Sequence, residues 1–537
     1  MNNPASPECP SCAPVTVESG LLEGLHFPKQ TRAFLGVPYG APPVGDLRWR
    51  PPQRPIHWTG LRSAHKFGPS SLQFPPPPTS IYSGGESEFS EDCLYLNVYT
   101  GAEGADTRPV LVWFHFGAFI FGSASNPLYD GTNLAAEGVT VVTVNYRLGR
   151  FGFLAHPELS AESGYQGSGN YGIMDQIAAL EWVQRNIKAF GGDRTNVTIG
   201  GASAGGASVH ILRSSPLAKS LFSKAICESG PGVAPTIDGA GHVAAYTTLA
   251  AAEQAGIELL DSLGASSVAE IRSMPAEKIM SAHLPRAQGS WKSDMWPGST
   301  SLSIFDTSNP IVDSHVLPES PLAALLSGKA TDIPMLLGNV GNEGTGLPHL
   351  DSLADYHAYA RETFGESAKE IFRLYPATTD SEVRVSTSKL LADRVFVWPM
   401  WTSARLQARN LKSPAWYYRF LREPPIPPDS DIFERSNAGA FHCVGVLYGF
   451  SNLDVWQWNW TDADRALAKD VLGTWAQFIR CGHPNGSQGH ADSWNPLKSS
   501  SNLIKTWGTE PRFEALGART HEVMAFWDSY YGIKTQI

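Results

Sequence analysis

Thr198-Ile-Gly-Gly-Ala-Ser-Ala-Gly-Gly-Ala-Ser-Val209 is the stretch whose reading decides the fold. Gly201, Ser203 and Gly205 within it spell Gly-x-Ser-x-Gly. Asn196-Val-Thr-Ile199 before it reads as a short buried strand, and Ala207-Ser-Val-His-Ile-Leu212 after it can open a helix. A serine between strand and helix sits on a sharp turn. Small residues two before and two after let that turn close, because a Cβ there would clash. The pattern is that of a nucleophile elbow, with the Ser203 hydroxyl at the carboxyl end of a central strand and free helix N–H groups beneath it.

Working outward, Val110-Leu-Val-Trp-Phe-His115 is a continuous apolar run, hence a fully buried strand, and Val139-Thr-Val-Val-Thr-Val-Asn145 is another. Ile173, Ile177, Leu180, Val183 and Ile187 fall at helical spacing between Tyr171 and Phe190, and Gly191-Gly192 stops that helix. Further strands are expected at Pro14–Val17, Thr31–Val37, Ser90–Tyr99, Pro334–Gly338 and Trp416–Phe420, with a long amphipathic helix over Ala466–Arg480. Buried strands alternating with helices imply an α/β fold, a mostly parallel doubly wound sheet. The expected organisation is a tail over 1–13, then one catalytic domain over 14–537, with helical cap insertions at roughly 230–332 and 345–412.

The chain has 537 residues, 42% of them hydrophobic and 17% charged, which suits a large core. A net charge of −10 argues against nucleic acid as partner. No run reaches the length of about 18 apolar residues that a transmembrane helix needs. The first residues lack a charged n-region and an apolar h-region, so the expected protein is cytosolic, or the mature form of an exported one. Sequons at Asn196, Asn459 and Asn485 fit export but also arise by chance. Six cysteines make no disulfide framework at this length. Cys9-x-x-Cys12 reads as part of a flexible proline-rich tail, with a local disulfide left open.

Several ordered motifs now carry a resemblance. Ala33-Phe-Leu-Gly-Val-Pro-Tyr39, Ser90-Glu-Asp-Cys-Leu-Tyr-Leu-Asn97, Asn145-Tyr-Arg-Leu-Gly-Arg-Phe-Gly-Phe153, Gly169-Asn-Tyr-Gly-Ile-Met-Asp-Gln176, Phe190-Gly-Gly-Asp193 and the elbow resemble the type-B carboxylesterase/cholinesterase-like family of the α/β-hydrolase fold, from about Val15 to Trp527. The chain order of that fold is nucleophile, acid, histidine. The resemblance implies Ser203 as nucleophile, Glu343 of Gly341-Asn-Glu-Gly344 as acid and His442 of Gly439-Ala-Phe-His442 as base. Asn342 stands where the family commonly has Asp. Gly117, Ala118 and Ala204 align with the oxyanion donors, Ala118 being tolerable if its φ is negative. Phe116 replaces a family glycine, its bulk expected in the acyl pocket or on the surface.

Among the 16 tryptophans, Trp291, Trp296, Trp398, Trp401 and the Trp456/Trp458/Trp460 alternation lie in cap or late segments. One or two are expected to line the entrance, with core packing the plainer alternative. Phe116, Ala202, Gly445, Trp291 and Trp398 are the candidate pocket residues. The family commonly pairs the cysteine at position 93 with one at the position held here by Ser71, so Cys93 is expected to be a free thiol. Many members also carry glutamates where this chain has Ala202 and Gly445. Their absence removes two negative charges near Ser203 and suits an acyl group bearing carboxylates, such as a fumonisin-type tricarballyl ester; a repacked core is the alternative. The implied activity is hydrolysis of a small-molecule carboxylic ester through an acyl-enzyme, with no metal or organic cofactor. Neutral esters or amides, and a non-catalytic adhesion role, are the competing readings.

Overall fold

The computed structural model describes residues 10–103, 106–237, 246–282, 291–292, 309–432, 438–485, 494–498 and 503–533. Its centre is an eleven-stranded sheet. In chain order the strands are β1 (Leu25–Phe27), β2 (Thr31–Pro38), β3 (Tyr95–Thr100), β4 (Arg108–Phe114), β5 (Thr140–Val144), β6 (Gly192–Ala202), β7 (Lys224–Glu228), β8 (Met335–Val340), β9 (Ala415–Phe420), β10 (Leu503–Trp507) and β11 (Arg512–Ala515). Across the sheet they lie β11-β10-β9-β8-β7-β6-β4-β5-β3-β2-β1. Neighbours from β5 to β10 are parallel; the pairs at both margins are antiparallel.

The apolar run in β4 shows why the sheet is buried on both faces. Val110, Val112 and Phe114 enter one core cluster, and Leu111 and Trp113 enter the other. This is the period of two expected of a strand, with both sides apolar. The first face is covered by α1 (Tyr171–Asn186) and α2 (Ala204–Ser214), the second by α8 (Asp462–Cys481), whose Trp475 meets Trp113 at a centroid distance of 5.7 Å. Further helices are α3 (Leu249–Leu263), α4 (Leu353–Phe364), α5 (Asp380–Ala392) and α6 (Trp398–Asn410). A short helix, α7 (Val444–Gly449), follows His442, and α9 (Ala518–Tyr530) ends the fold.

Three departures from the sequence reading stand out. The strand β7 went unread, although it lies between β6 and β8. The tail boundary is earlier than residue 14: Ser11 bridges Leu25, and Cys12 is buried and unpaired, while Cys9 lies outside the described residues. The elbow strand is longer than Asn196–Ile199, running to Ala202. Among the described residues no helix is long and apolar enough to cross a membrane, and no cluster of three or more His, Cys, Asp or Glu could hold a metal ion.

The family-like motifs are structural ties. Arg147 of the Asn145–Phe153 motif grips Asp175 of the Gly169–Gln176 motif through Nε and Nη2, both at 2.8 Å, in full burial. Cys93 is a buried free thiol, with burial pushing it up to about 12.

Candidate active site

At the end of β6 the backbone turns within one residue. Ser203 has φ 53° and ψ −120°, a conformation that costs a non-glycine residue roughly 1–3 kcal/mol. Its neighbours explain how this is tolerated. A Cβ on Gly201 would stand 2.3 Å from the Gly205 carbonyl carbon, and one on Gly205 would stand 1.9 Å from the Phe114 oxygen. The Ser203 N–H donates to the Glu228 carbonyl at 3.0 Å, and the Ser203 carbonyl accepts from Ala207 at 2.8 Å. The turn is thus locked between β7 and α2.

Glu343 and His442 come from loops after β8 and β9 and meet across 99 residues of sequence. His442 Nδ1 lies 2.6 Å from Glu343 Oε2. The other carboxyl oxygen, Oε1, accepts from Ser229 Oγ at 2.7 Å, Asn339 Nδ2 at 2.7 Å and the Val340 N–H at 3.0 Å. The carboxylate is fully buried and fully bonded, so it can only present one oxygen to the imidazole. Asn342, in the position of the family's Asp, caps this loop by donating to Ala438 O at 3.0 Å. His442 Nε2 is buried without a hydrogen-bond partner, and no bond joins it to Ser203 Oγ in this arrangement.

Phe396, which sequence reading missed, packs on the His442 ring at 4.2 Å. It is delivered by a wide π-helical turn, Asp393–Val397, between α5 and α6. Trp398 N–H reaches back five residues to Asp393 O. Pro399 follows, and its ring would crowd the carbonyl four residues earlier in a regular α-helix, so the turn opens. Pro399 was the only signal available in the sequence.

The oxyanion loop departs from expectation twice. Ala118 has φ +52°, so the condition of a negative φ is not met; the loop holds it left-handed by Ile120 and Phe121 N–H bonds to Gly117 O at 2.9 and 3.0 Å. The N–H groups of Gly117, Ala118 and Ala204 donate to no protein acceptor among the described residues. Phe116 goes neither to an acyl pocket nor to the surface. It is 2% exposed and packs edge-on against Tyr82 and Tyr129, both at 5.9 Å, in the second core. His115 beside it stacks on Tyr146 at 4.4 Å, and burial holds its imidazole down to about 4.

The other pocket candidates are also used for packing. Ala202 is buried in the second core. Trp398 donates to Asp528 Oδ1 at 2.8 Å and packs at a tilt against Tyr531, with ring centroids 4.6 Å apart. Trp291 sets its ring edge-on to Tyr359 at 4.8 Å, and Trp296 lies outside the described residues. Gly445 faces a carboxyl that sequence reading overlooked. A Cβ there would stand 2.3 Å from Glu228 Oε2. Glu228 is fully buried, accepts from Tyr418 OH and from the Val446 N–H, each at 3.1 Å, and is pushed up to about 8 by burial and then by the nearby Glu343. The space vacated at Gly445 is therefore not free of acid.

An α/β sheet with a serine on a strained strand-to-helix turn, and a carboxylate–histidine pair delivered from later strands, defines the α/β-hydrolase class. The chain belongs to the carboxylesterase family, which it matches over residues 11–527. It is a carboxylic-ester hydrolase. It is 35% identical over 506 residues to the fumonisin B1 esterase of Sphingopyxis macrogoltabida, covering 92% of this chain and 86% of that protein. It is 34% identical over 490 residues to the para-nitrobenzyl esterase of Bacillus subtilis (strain 168), covering 88% and 90%. A solved structure of PNB esterase superposes with a TM-score of 0.77 at 32% identity, covering 95% of this chain and 99% of that one.

Proposed function

We propose that Ser203, His442 and Glu343 form the catalytic triad of this esterase, working through an acyl-enzyme. The observation that carries this reading is the 2.6 Å Glu343–His442 bond. It orients the imidazole with Nε2 free and unbonded, and Ser203 stands on the strained turn after β6. In the reaction Ser203 Oγ and His442 Nε2 come within hydrogen-bond reach of each other. As Oγ attacks the carbonyl carbon, its proton passes to Nε2, and the imidazolium is held by Glu343. The oxyanion is received by the unbonded N–H groups of Gly117, Ala118 and Ala204. Collapse breaks the ester C–O bond, and the leaving alcohol takes the proton from Nε2. Water, deprotonated by the same nitrogen, then attacks the acyl-enzyme and releases the acid.

The acyl group is an acidic, polycarboxylate one, as in tricarballyl esters of the fumonisin type. The absence of side-chain acids at Ala202 and Gly445 supports this, as does the likeness to a fumonisin B1 esterase. The para-nitrobenzyl esterase, at nearly the same identity, supports the second reading of neutral esters. An organophosphonate ester is expected to label Ser203, and Ser203→Ala to lose at least ~10³-fold in kcat. Full activity in Ser203→Ala refutes the triad. A tricarballyl ester hydrolysed more slowly than its methyl-capped analogue refutes the acidic acyl group.

A further inference from the structure

Three facts converge on one side chain outside the triad. Glu228 lies in register beside Ala202, on the strand next to the elbow. Its carbonyl holds the Ser203 N–H, while its carboxyl holds the Val446 N–H, four residues beyond His442. That carboxyl occupies the volume where any side chain at Gly445 would have to stand.

We infer that Glu228 is a positioning and specificity-determining residue of this esterase: it ties the nucleophile elbow to the helix behind His442 and sets the charge behind Ser203. The inference rests on the triad proposed above. Its mechanism is proton occupancy at one buried site. The titratable groups that interact with this carboxyl are Tyr418 from β9, Glu343 from the loop after β8, Cys227 on its own strand and Cys443 beside His442. Burial and Glu343 favour the neutral form, so below about 8 the carboxyl is uncharged and an anionic acyl group meets no repulsion from it. Above about 8 it ionises, and a carboxylate-bearing acyl group is repelled while a neutral one is not. The side chain therefore replaces acids missing at Ala202 and Gly445 with one whose charge is conditional.

The experiment compares two substrates with one leaving group: an aryl ester of tricarballylic acid with free carboxylates, and its dimethyl-capped analogue. The ratio of their kcat/KM values, anionic over neutral, cancels titrations common to both. It is expected to fall on the order of ten-fold between pH 7 and pH 9, as a unit charge roughly 10 Å away at an effective dielectric of about 20 requires. In Glu228→Gln, which keeps the shape and cannot ionise, the ratio is expected to stay level. Tyr418→Phe removes a donor that favours the charged form, so it is expected to move the midpoint of the fall to higher pH. A ratio that is level in the natural protein overturns the inference, and so does one that falls equally in Glu228→Gln. If Glu228→Gln does not fold, the natural profile and the direction of the Tyr418→Phe shift decide. Phosphonate labelling of Ser203 separates the two levels. Without labelling the triad itself fails; with labelling and a level ratio only the role of Glu228 does.

Discussion

Ser229 offers a substitution whose two effects can be told apart. Its hydroxyl is one of three donors on Glu343 Oε1, at 2.7 Å, and its backbone is left-handed at φ 49°. Ser229→Ala removes the hydrogen bond and keeps the strain. A bond to a buried carboxylate is worth roughly 1.5–3 kcal/mol, so about 2 kcal/mol of stability should be lost. Ser229→Gly removes the same bond but relieves the left-handed backbone, which costs other residues about 1 kcal/mol or more. It should therefore be the more stable of the two by about 1 kcal/mol. Their catalytic losses should be alike, because Glu343 keeps the same two donors, Asn339 and Val340, in both. If the missing donor weakens Glu343's hold on the imidazolium by about 1.4 kcal/mol in the transition state, kcat falls about ten-fold. Urea unfolding followed by tryptophan fluorescence, with initial rates on a p-nitrophenyl ester, measures both quantities. Wild-type kcat in Ser229→Ala, or equal stability in the two variants, would falsify the reasoning.

The left-handed Ala118 should behave likewise: Ala118→Gly is expected to raise the thermal unfolding midpoint by the equivalent of about 1 kcal/mol, and a lowered midpoint counts against strain at that position. Acid should destabilise the fold through two buried histidines. His115 is held down to about 4 and His210 to about 3 by burial, both below the unfolded value of about 6.5. Their contribution is intact above about 6.5 and is lost as pH falls, by about 3 kcal/mol each on reaching pH 4. Three buried carboxyls raised mainly by burial work in the opposite sense as pH falls: Glu228, pushed up to about 8, Asp393, pushed up to about 6, and Asp130; together they offset much of the histidine loss between about 4 and 8. The difference in unfolding midpoint between the natural protein and His210→Gln, taken at half-unit pH steps, isolates one histidine: the natural protein should lose ground steadily from pH 6.5 to pH 4, and a difference that stays constant rules that histidine out.

Sequence reading reached the elbow because its requirement is local. Only small residues fit at 201 and 205, and the structure puts backbone atoms within 2.4 Å of where their Cβ atoms would be. It also named Glu343 and His442, which the fold brings into contact. What it missed depends on neighbours remote in the chain. Lys224-Ala-Ile-Cys-Glu228 is five residues long with a charge at each end, and nothing in it advertises a central strand. Glu228 was overlooked with it, so the sites at Ala202 and Gly445 were counted as charges lost outright. Phe116 was assigned by its position in a motif, while its destination was set by Tyr82 and Tyr129 from other loops. The φ of Ala118 follows from hydrogen bonds to Gly117, which alignment to a glycine-rich pattern does not foretell.

The π-helical turn at Asp393–Val397 carries a consequence of its own. A turn closed by a bond five residues back holds one residue more than an α-helical turn, so it amounts to a single-residue insertion absorbed without a loop. Each residue of an α-helix turns the chain by about 100° and advances it about 1.5 Å. Deleting one residue here would leave α6 anchored through Trp398 and Arg405 to Asp528, while the end of α5 that joins it would have to turn by that step. The face offered to the His442 ring is thus set by how many residues the segment contains, and a change of length would retune it without altering any side chain that touches the histidine.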